Sequence, residues 1–422
     1  MARLAARARR RAGADGRPGV TAPLGTDVVG ARLDARLVAG ERFFGAEAER
    51  LARLCHRMAE RFARGGRLIA VGAGGADRSD VRHVTVEFVH PVIVGKRALP
   101  ALGLSAEGGD LAAQARLVLE ADDIAIAFGA GPEVAAAVAV GADRGALSIA
   151  FADIGAEWAF APPREDPFVA QEIAETTYHV LWELVHVFLE QRGLLEGRRG
   201  GAVHDAGASS FLYPFLAEGE DDLEAVVADV RASVVMKAAE VGELRAQTLG
   251  EGRETLLAAA AELRAAFAGG GRLLALGNGG SATDAMDVVA DFRDPPPGRG
   301  WPARAALDLT EDPAILTAIA NDVGVEAVFS RQVIAHGRPG DVVLALSTSG
   351  GSANVILALE EARRRGLRTI ALLGYDGGRI LAEGLADHVV VSRSEHIPRI
   401  QEAQASAYHV LRELVETGGD GR

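Results

Sequence analysis

Two histidines sit eight residues after a glutamine in nearly the same local sequence, and they are the first sign of chemistry in this chain. Gln171-Glu172 leads to His179 within Tyr178-His179-Val180-Leu181, and Gln401-Glu402 leads to His409 within Tyr408-His409-Val410-Leu411. Earlier in the chain, His83 and Glu87 stand at i and i+4, which places both on one face of a helix. Imidazole and carboxylate are the side chains best suited to moving a proton or holding a metal near neutral pH.

A second kind of chemistry is written in hydroxyls and glycines. Gly277-Asn278-Gly279-Gly280-Ser281 lies between an apolar strand pattern and a helical one. There, free N–H groups and the helix dipole favour an anion. Ser347-Thr348-Ser349-Gly350-Gly351-Ser352 follows the next such strand and runs into another helix. Its four hydroxyls and row of backbone donors form a phosphate cradle that needs no lysine, and N-capping accounts for only one of the four. The phosphate-binding candidates are therefore Asn278, Gly279, Ser281, Ser347, Thr348, Ser349 and Ser352. Neither the lysine of a nucleotide P-loop nor the spacing of a dinucleotide fingerprint is present, so no nucleotide cofactor is expected.

The elements that must position these residues come in two copies. Gly66-Arg67-Leu68-Ile69-Ala70-Val71-Gly72 recurs 205 residues later as Gly271-Arg272-Leu273-Leu274-Ala275-Leu276-Gly277, whereas the Gln-to-His segment recurs at an offset of 230. The later copy thus carries about 25 extra residues. Each copy has a helix (residues 46–63; 255–267), a short apolar strand (68–71; 273–276), a Gly-rich turn and a new helix. Further strands are expected at 124–128 and 147–151, then at 342–346 and 369–373, with a helix at 353–365. Alternation of this kind predicts a parallel sheet with helices on both faces and ligands at the carboxyl ends of its strands. The domains are expected at 25–192 and 221–422, joined by a linker at 193–220 and preceded by a disordered basic tail at 1–24.

Taken together, these motifs resemble phosphoheptose isomerases of the SIS (sugar isomerase) class. The Gly-Asn-Gly-Gly-Ser turn and Ser/Thr loop carry the resemblance, with Asn321-Asp322-Val323-Gly324, Asp376-Gly377-Gly378 and Arg399-Ile400-Gln401-Glu402 followed by His409. It spans nearly all of residues 223–417. It implies two tandem flavodoxin-like domains, each an α/β parallel sheet, and a phosphorylated sugar as substrate. The implied activity interconverts sedoheptulose 7-phosphate and an aldose heptose 7-phosphate, at sites shared between subunits that often hold zinc. Such a reaction needs a base for a carbon-bound proton and an acid or metal for the enediolate. Carried onto this chain, the resemblance makes Glu87, His179, Asp291 and His409 the catalytic candidates. One metal set is His83, Glu87, Gln171 and His179; the alternative is Asp287, Asp291, Gln401 and His409.

Composition narrows the partners. Forty-five basic residues against 58 acidic ones leave a net charge of −13, which disfavours nucleic acid and anionic lipid surfaces. Cys55 is the only cysteine, so no intrachain disulfide or cysteine-rich zinc site can form, and a cytoplasmic location is expected. No run of about 18 apolar residues marks a membrane span.

The two copies are complementary in what they have lost. The second keeps the phosphate loop but places Asp287 and Asp291 where the family has His and Glu. The first keeps His83 and Glu87, but Phe128-Gly129-Ala130-Gly131-Pro132-Glu133 replaces the Ser/Thr loop and Ala76 stands against Ser281. One expectation is a single site built from both halves; another is a second copy working alone with its aspartates. An isomerase acting on a different heptose or octose phosphate, or a non-catalytic phosphosugar-binding regulator or scaffold, are the further alternatives. Self-association is expected, with two tandem chains giving a four-domain assembly.

Overall fold

The computed structural model describes residues 27–92, 96–163, 165–190, 195 and 222–417. The expected basic tail and nearly all of the expected linker lie outside the described residues.

The first copy runs α1 (Val28–Ala63), β1 (Leu68–Gly72), α2 (Ala76–Val89), β2 (Ala101–Ser105), α3 (Leu111–Val118), β3 (Ile124–Phe128), α4 (Pro132–Asp143), β4 (Leu147–Ala150), β5 (Trp158–Ala159) and α5 (Pro167–Glu190). The second begins with α6 (Leu223–Glu251), α7 (Arg253–Ala268), β6 (Leu273–Leu276), α8 (Gly280–Arg293), β7 (Ala306–Asp308), α9 (Pro313–Asp322) and α10 (Ser330–His336). It ends with β8 (Val342–Ser347), α11 (Ala353–Arg364), β9 (Arg368–Gly374), α12 (Gly378–Ala382), β10 (His388–Ser392) and α13 (Ile397–Thr417). Aspartates cap the starts of four of these helices: Asp27, Asp110, Asp222 and Asp312 each accept from a backbone N–H of the first turn.

Both sheets are parallel and share one topology, β2-β1-β3-β4-β5 in the first copy and β7-β6-β8-β9-β10 in the second. The central strands, Ile124–Phe128 and Val342–Ser347 among them, are buried along their whole length, which is why they read as unbroken apolar runs. The short edge strands β2, β5, β7 and β10 are additions to the expected set, and their partial exposure leaves a weaker pattern. Helix α1 extends the expected 46–63 segment back to Val28, because its early residues serve a different core. Val29 packs with the second copy's apolar residues, whereas Val226, Val227, Val230 and Val234 of α6 pack with the first copy's. The two copies therefore interlock through exchanged helix starts.

Helices α5 and α13 pack together between the sheets and are buried almost throughout, residues 172–188 and 398–415 lying out of solvent. Their polar residues are tolerated there because they pair across the boundary. Glu183 accepts from Arg399 at 2.5 Å and is bound by Lys237, while Glu172 accepts from Ser406 at 2.5 Å. His186 is buried, its ring nitrogens 2.8 Å from Trp182 O and 3.0 Å from Arg97 O. Among the described residues, no helix is long and apolar enough to cross a membrane.

Candidate active site and metal centres

Helices α2 and α8 each follow a glycine in the left-handed region, Gly75 at φ 57° and Gly279 at φ 56°. A residue with a Cβ is strained there. Counted from these matched starts, His83 and Asp287 occupy the same helical position, and so do Glu87 and Asp291. The same register corrects one expectation: Asp77, not Ala76, stands against Ser281, and Ala76 stands against Gly280.

The first cluster forms around His83. Its Nε2 lies 3.3 Å from His179 Nε2, 3.2 Å from Gln401 Nε2 and 3.9 Å from Glu87 Oε1. Its Nδ1 is 3.6 Å from Asp284 Oδ1. Glu175, one turn before His179, joins the two histidines in a group whose ligand atoms all lie within 4.8 Å of one another. The expected set of His83, Glu87, Gln171 and His179 is thus brought together with one substitution. The glutamine at His83 is Gln401, carried in by α13 from the second copy, and not Gln171. Burial and the neighbouring His179 hold the His83 imidazole well below its usual range, so it is neutral and able to ligate. Burial likewise pushes the Glu87 carboxyl up to about 7. His179 Nδ1 lies 2.9 Å from Glu402 Oε1, which leaves Nε2 facing the cluster. Two imidazole nitrogens, a carboxylate and an amide, with Gln401 Oε1 and one oxygen each of Glu87, Glu175 and Asp284 buried without a partner, are a donor set that fits a divalent metal.

The second cluster is the twofold counterpart. His409 Nδ1 lies 2.9 Å from Glu172 Oε1, and its Nε2 is 3.5 Å from both Asp287 Oδ2 and Asp291 Oδ2. Phe168 stacks on the ring with centroids 4.4 Å apart. Burial opposes a charge on His409, but Asp287, Glu172 and Asp291 outweigh it and hold the imidazolium up to about 10. Asp291 is pushed well above the usual carboxylate range by burial and by Asp287. The alternative set of Asp287, Asp291 and His409 is therefore assembled, but without Gln401, which serves the first cluster.

The phosphate loop opens beside the first cluster. Asn278 and Asn354 exchange side-chain amide hydrogen bonds of 3.0 and 2.8 Å, tying the glycine turn to the Ser/Thr loop. At Gly280, in that same turn, an added Cβ would lie 1.8 Å from Gln401 Nε2 and 2.9 Å from His83 Nε2. Ser347 is buried and its Oγ accepts from Gly350 N–H at 3.1 Å, whereas Thr348, Ser349 and Ser352 reach solvent. The Ser352 hydroxyl makes no capping hydrogen bond to α11. In the first copy the corresponding turn is acidic. A Cβ at Gly129 would lie 2.2 Å from Asp77 Oδ2, and burial, Glu133 and Asp287 push the Asp77 carboxyl up to about 6.

Further residues complete these clusters. Glu175 precedes His179 by four residues, the same helical spacing that marks His83 and Glu87, and this signal could have found it. Glu172 and Glu402 recur with the two histidines, yet only geometry shows each holding the other copy's imidazole. Tyr408, whose hydroxyl donates to Asp287 Oδ2 at 2.8 Å, is marked by the repeated Tyr-His-Val-Leu segment, whereas Ser79, whose Oγ lies 3.1 Å from Asp287 Oδ1, has no pattern that could reveal it.

Comparison with known proteins places the chain among sugar-phosphate isomerases. Residues 238–374 match the SIS domain family. The phosphoheptose isomerase of Chlorobium phaeobacteroides is 46% identical over 173 residues, 40% of this chain and 76% of that protein. That of Citrifermentans bemidjiense is 49% identical over 154 residues, 36% of this chain and 77% of its own length. Two solved structures share the fold along nearly the whole chain. The tagatose-6-phosphate ketose/aldose isomerase of Escherichia coli aligns with 95% of this chain and 96% of its own at a TM-score of 0.54 and 13% identity. The C-terminal domain of glucosamine-fructose-6-phosphate aminotransferase from Francisella tularensis aligns with 94% and 97% at a TM-score of 0.57 and 9% identity. With more than a third of its length nearly half identical to about three quarters of those enzymes' length, the chain belongs to the phosphoheptose isomerase family.

Proposed function

We propose that this protein interconverts a ketose and an aldose phosphate, with sedoheptulose 7-phosphate as the ketose, at one site assembled from both copies. The observation that carries the proposal is the meeting of Gln401 and His83 over Gly280, the residue that joins the second copy's phosphate cradle to the first copy's histidines. A sugar phosphate anchored on Asn278, Gly279, Ser281, Ser347, Thr348, Ser349 and Ser352 would extend its carbonyl end toward Glu87 and His179.

Glu87 takes the carbon-bound proton between C1 and C2 and returns it to the neighbouring carbon. Its carboxyl, raised to about 7, is close to the value at which a general base exchanges a proton most readily at neutral pH. His179, fixed through Nδ1 by Glu402, would present Nε2 to the cluster as a metal ligand. His83, Glu175, His179 and Gln401 would hold a divalent metal, zinc in this reading, which leaves Glu87 free to act as the base. Such an ion supplies Lewis-acid stabilisation of enediolate charge. The mostly buried cluster shelters the reactive intermediate from water.

The same reading takes 25–192 and 221–422 as the two domains, places the protein in the cytoplasm and has two chains associate into four domains. The test is an assay of the purified chain with sedoheptulose 7-phosphate in D2O. Turnover with deuterium entering at C2 of the aldose supports the reading. Binding of the sugar phosphate without turnover or exchange would point instead to a regulatory or scaffold protein.

A further inference from the structure

The isomerase reading draws on one cluster and leaves its twofold counterpart without a task. That counterpart has features a mere relic lacks. His409 is fully buried, yet its Nε2 has no hydrogen-bond partner, and neither does Oδ2 of the buried Asp291. Both atoms point into the space they share with Asp287, and one ligand atom from each of the three residues lies within 4.8 Å of the others. The opposite ring nitrogen is fixed by Glu172, which Arg36 anchors in turn. Proteins orient a metal-binding imidazole in this way. Asp287 is steadied at both oxygens, by Ser79 and by Tyr408.

A sugar phosphate is unwelcome here. The adjacent loop of the first copy has no hydroxyl between Phe128 and Glu133, and Asp77 and Glu133 face it with negative charge. A cation is favoured by the same charges. The ligand set differs from that of the first cluster, with one imidazole and two carboxylates in place of two imidazoles, a carboxylate and an amide. Oxygen-rich sets of this kind select harder divalent ions than nitrogen-rich ones do.

We propose that Asp287, Asp291 and His409 bind a second divalent cation of the manganese or magnesium type, which pins α8 to α13 and does no sugar chemistry. All three ligands come from the second copy, and the first copy's Ser79 and Glu172 hold Asp287 and His409 in place for it.

The test is a titration of the metal-free full chain with Mn2+, read by the electron paramagnetic resonance of the free ion and by thermal melting, without substrate. Wild type and His83→Ala are expected to bind Mn2+ and to melt higher as it is added, because an ion bound only by the folded state stabilises it. Asp291→Ala and His409→Gln, each made in the His83→Ala background and confirmed as folded by circular dichroism, are expected to lose that binding and the rise in Tm. Absence of Mn2+ binding in His83→Ala would overturn the proposal. So would Mn2+ binding in the two double variants equal to that of His83→Ala. Neither readout depends on isomerase activity.

Discussion

Glu402, on the last helix of the second copy, accepts a hydrogen bond from Nδ1 of His179 on the first copy, 2.9 Å away. An ionised carboxylate can only accept, so the proton belongs to Nδ1, and Nε2 is left to serve the site. Because the orienting group comes from the other copy, Glu402→Gln is expected to lower kcat about 10–100-fold while KM changes little. Steady-state kinetics with metal analysis checks this. A rise in KM with kcat intact would show that Glu402 does not act through His179.

Glu183 tests what holds the boundary helices together. Burial raises its carboxyl, but Arg399 and Lys237 outweigh burial and bring it down to about 2 from an ordinary 4.5. A depressed carboxylate stabilises the fold above its unfolded value and loses that contribution as pH falls toward its folded value. The margin of wild type over Glu183→Gln should therefore be full above about pH 5 and shrink as pH drops toward 2. Near neutrality, the cost of leaving Arg399 and Lys237 without this buried carboxylate is expected to be about 3–5 kcal/mol. Chemical denaturation across the pH range measures both.

Gly280 separates a functional effect from a structural one. Its added Cβ would meet the amide end of Gln401, which can move, and alanine suits a first helical turn better than glycine does. Gly280→Ala should melt within a few degrees of wild type, yet lose at least about tenfold in turnover, about 1.4 kcal/mol, as Gln401 is driven from His83. Unchanged turnover would remove Gly280 from the site.

The asymmetry of the two loops predicts unequal responses. Ser349→Ala and Ser352→Ala should raise KM for the sugar phosphate, each by about tenfold for a lost hydrogen bond to a charged group. Glu133→Ala, on the acidic loop of the first copy, should leave KM where it was. Kinetics of the three variants side by side decides the point.

The central strands are legible in the sequence as buried apolar runs, and the loop hydroxyls as a phosphate cradle, because both signals lie in consecutive residues. His83 and Glu87 are legible from helical spacing alone. The exchange of Gln401 for Gln171 is not, since it depends on how α13 packs against the first copy and leaves no trace in local sequence. Matching His83 and Glu87 to Asp287 and Asp291 already requires one extra residue in the first copy, but only the glycine starts at Gly75 and Gly279 show that it falls in the turn, before Asp77, and so pairs Asp77 with Ser281. Arg36 and Glu172 pair over 136 residues, beyond the reach of any periodicity.

The central claim is that one site draws its chemistry from the first copy and its phosphate grip from the second. The most direct test is kcat/KM for sedoheptulose 7-phosphate in Glu87→Gln and Asp291→Asn, measured on folded, metal-replete protein. A loss of about a thousandfold or more in Glu87→Gln, about 4 kcal/mol, with a far smaller loss in Asp291→Asn, is the result expected. Near-normal turnover in Glu87→Gln together with collapse in Asp291→Asn would contradict it and place the reaction within the second copy alone.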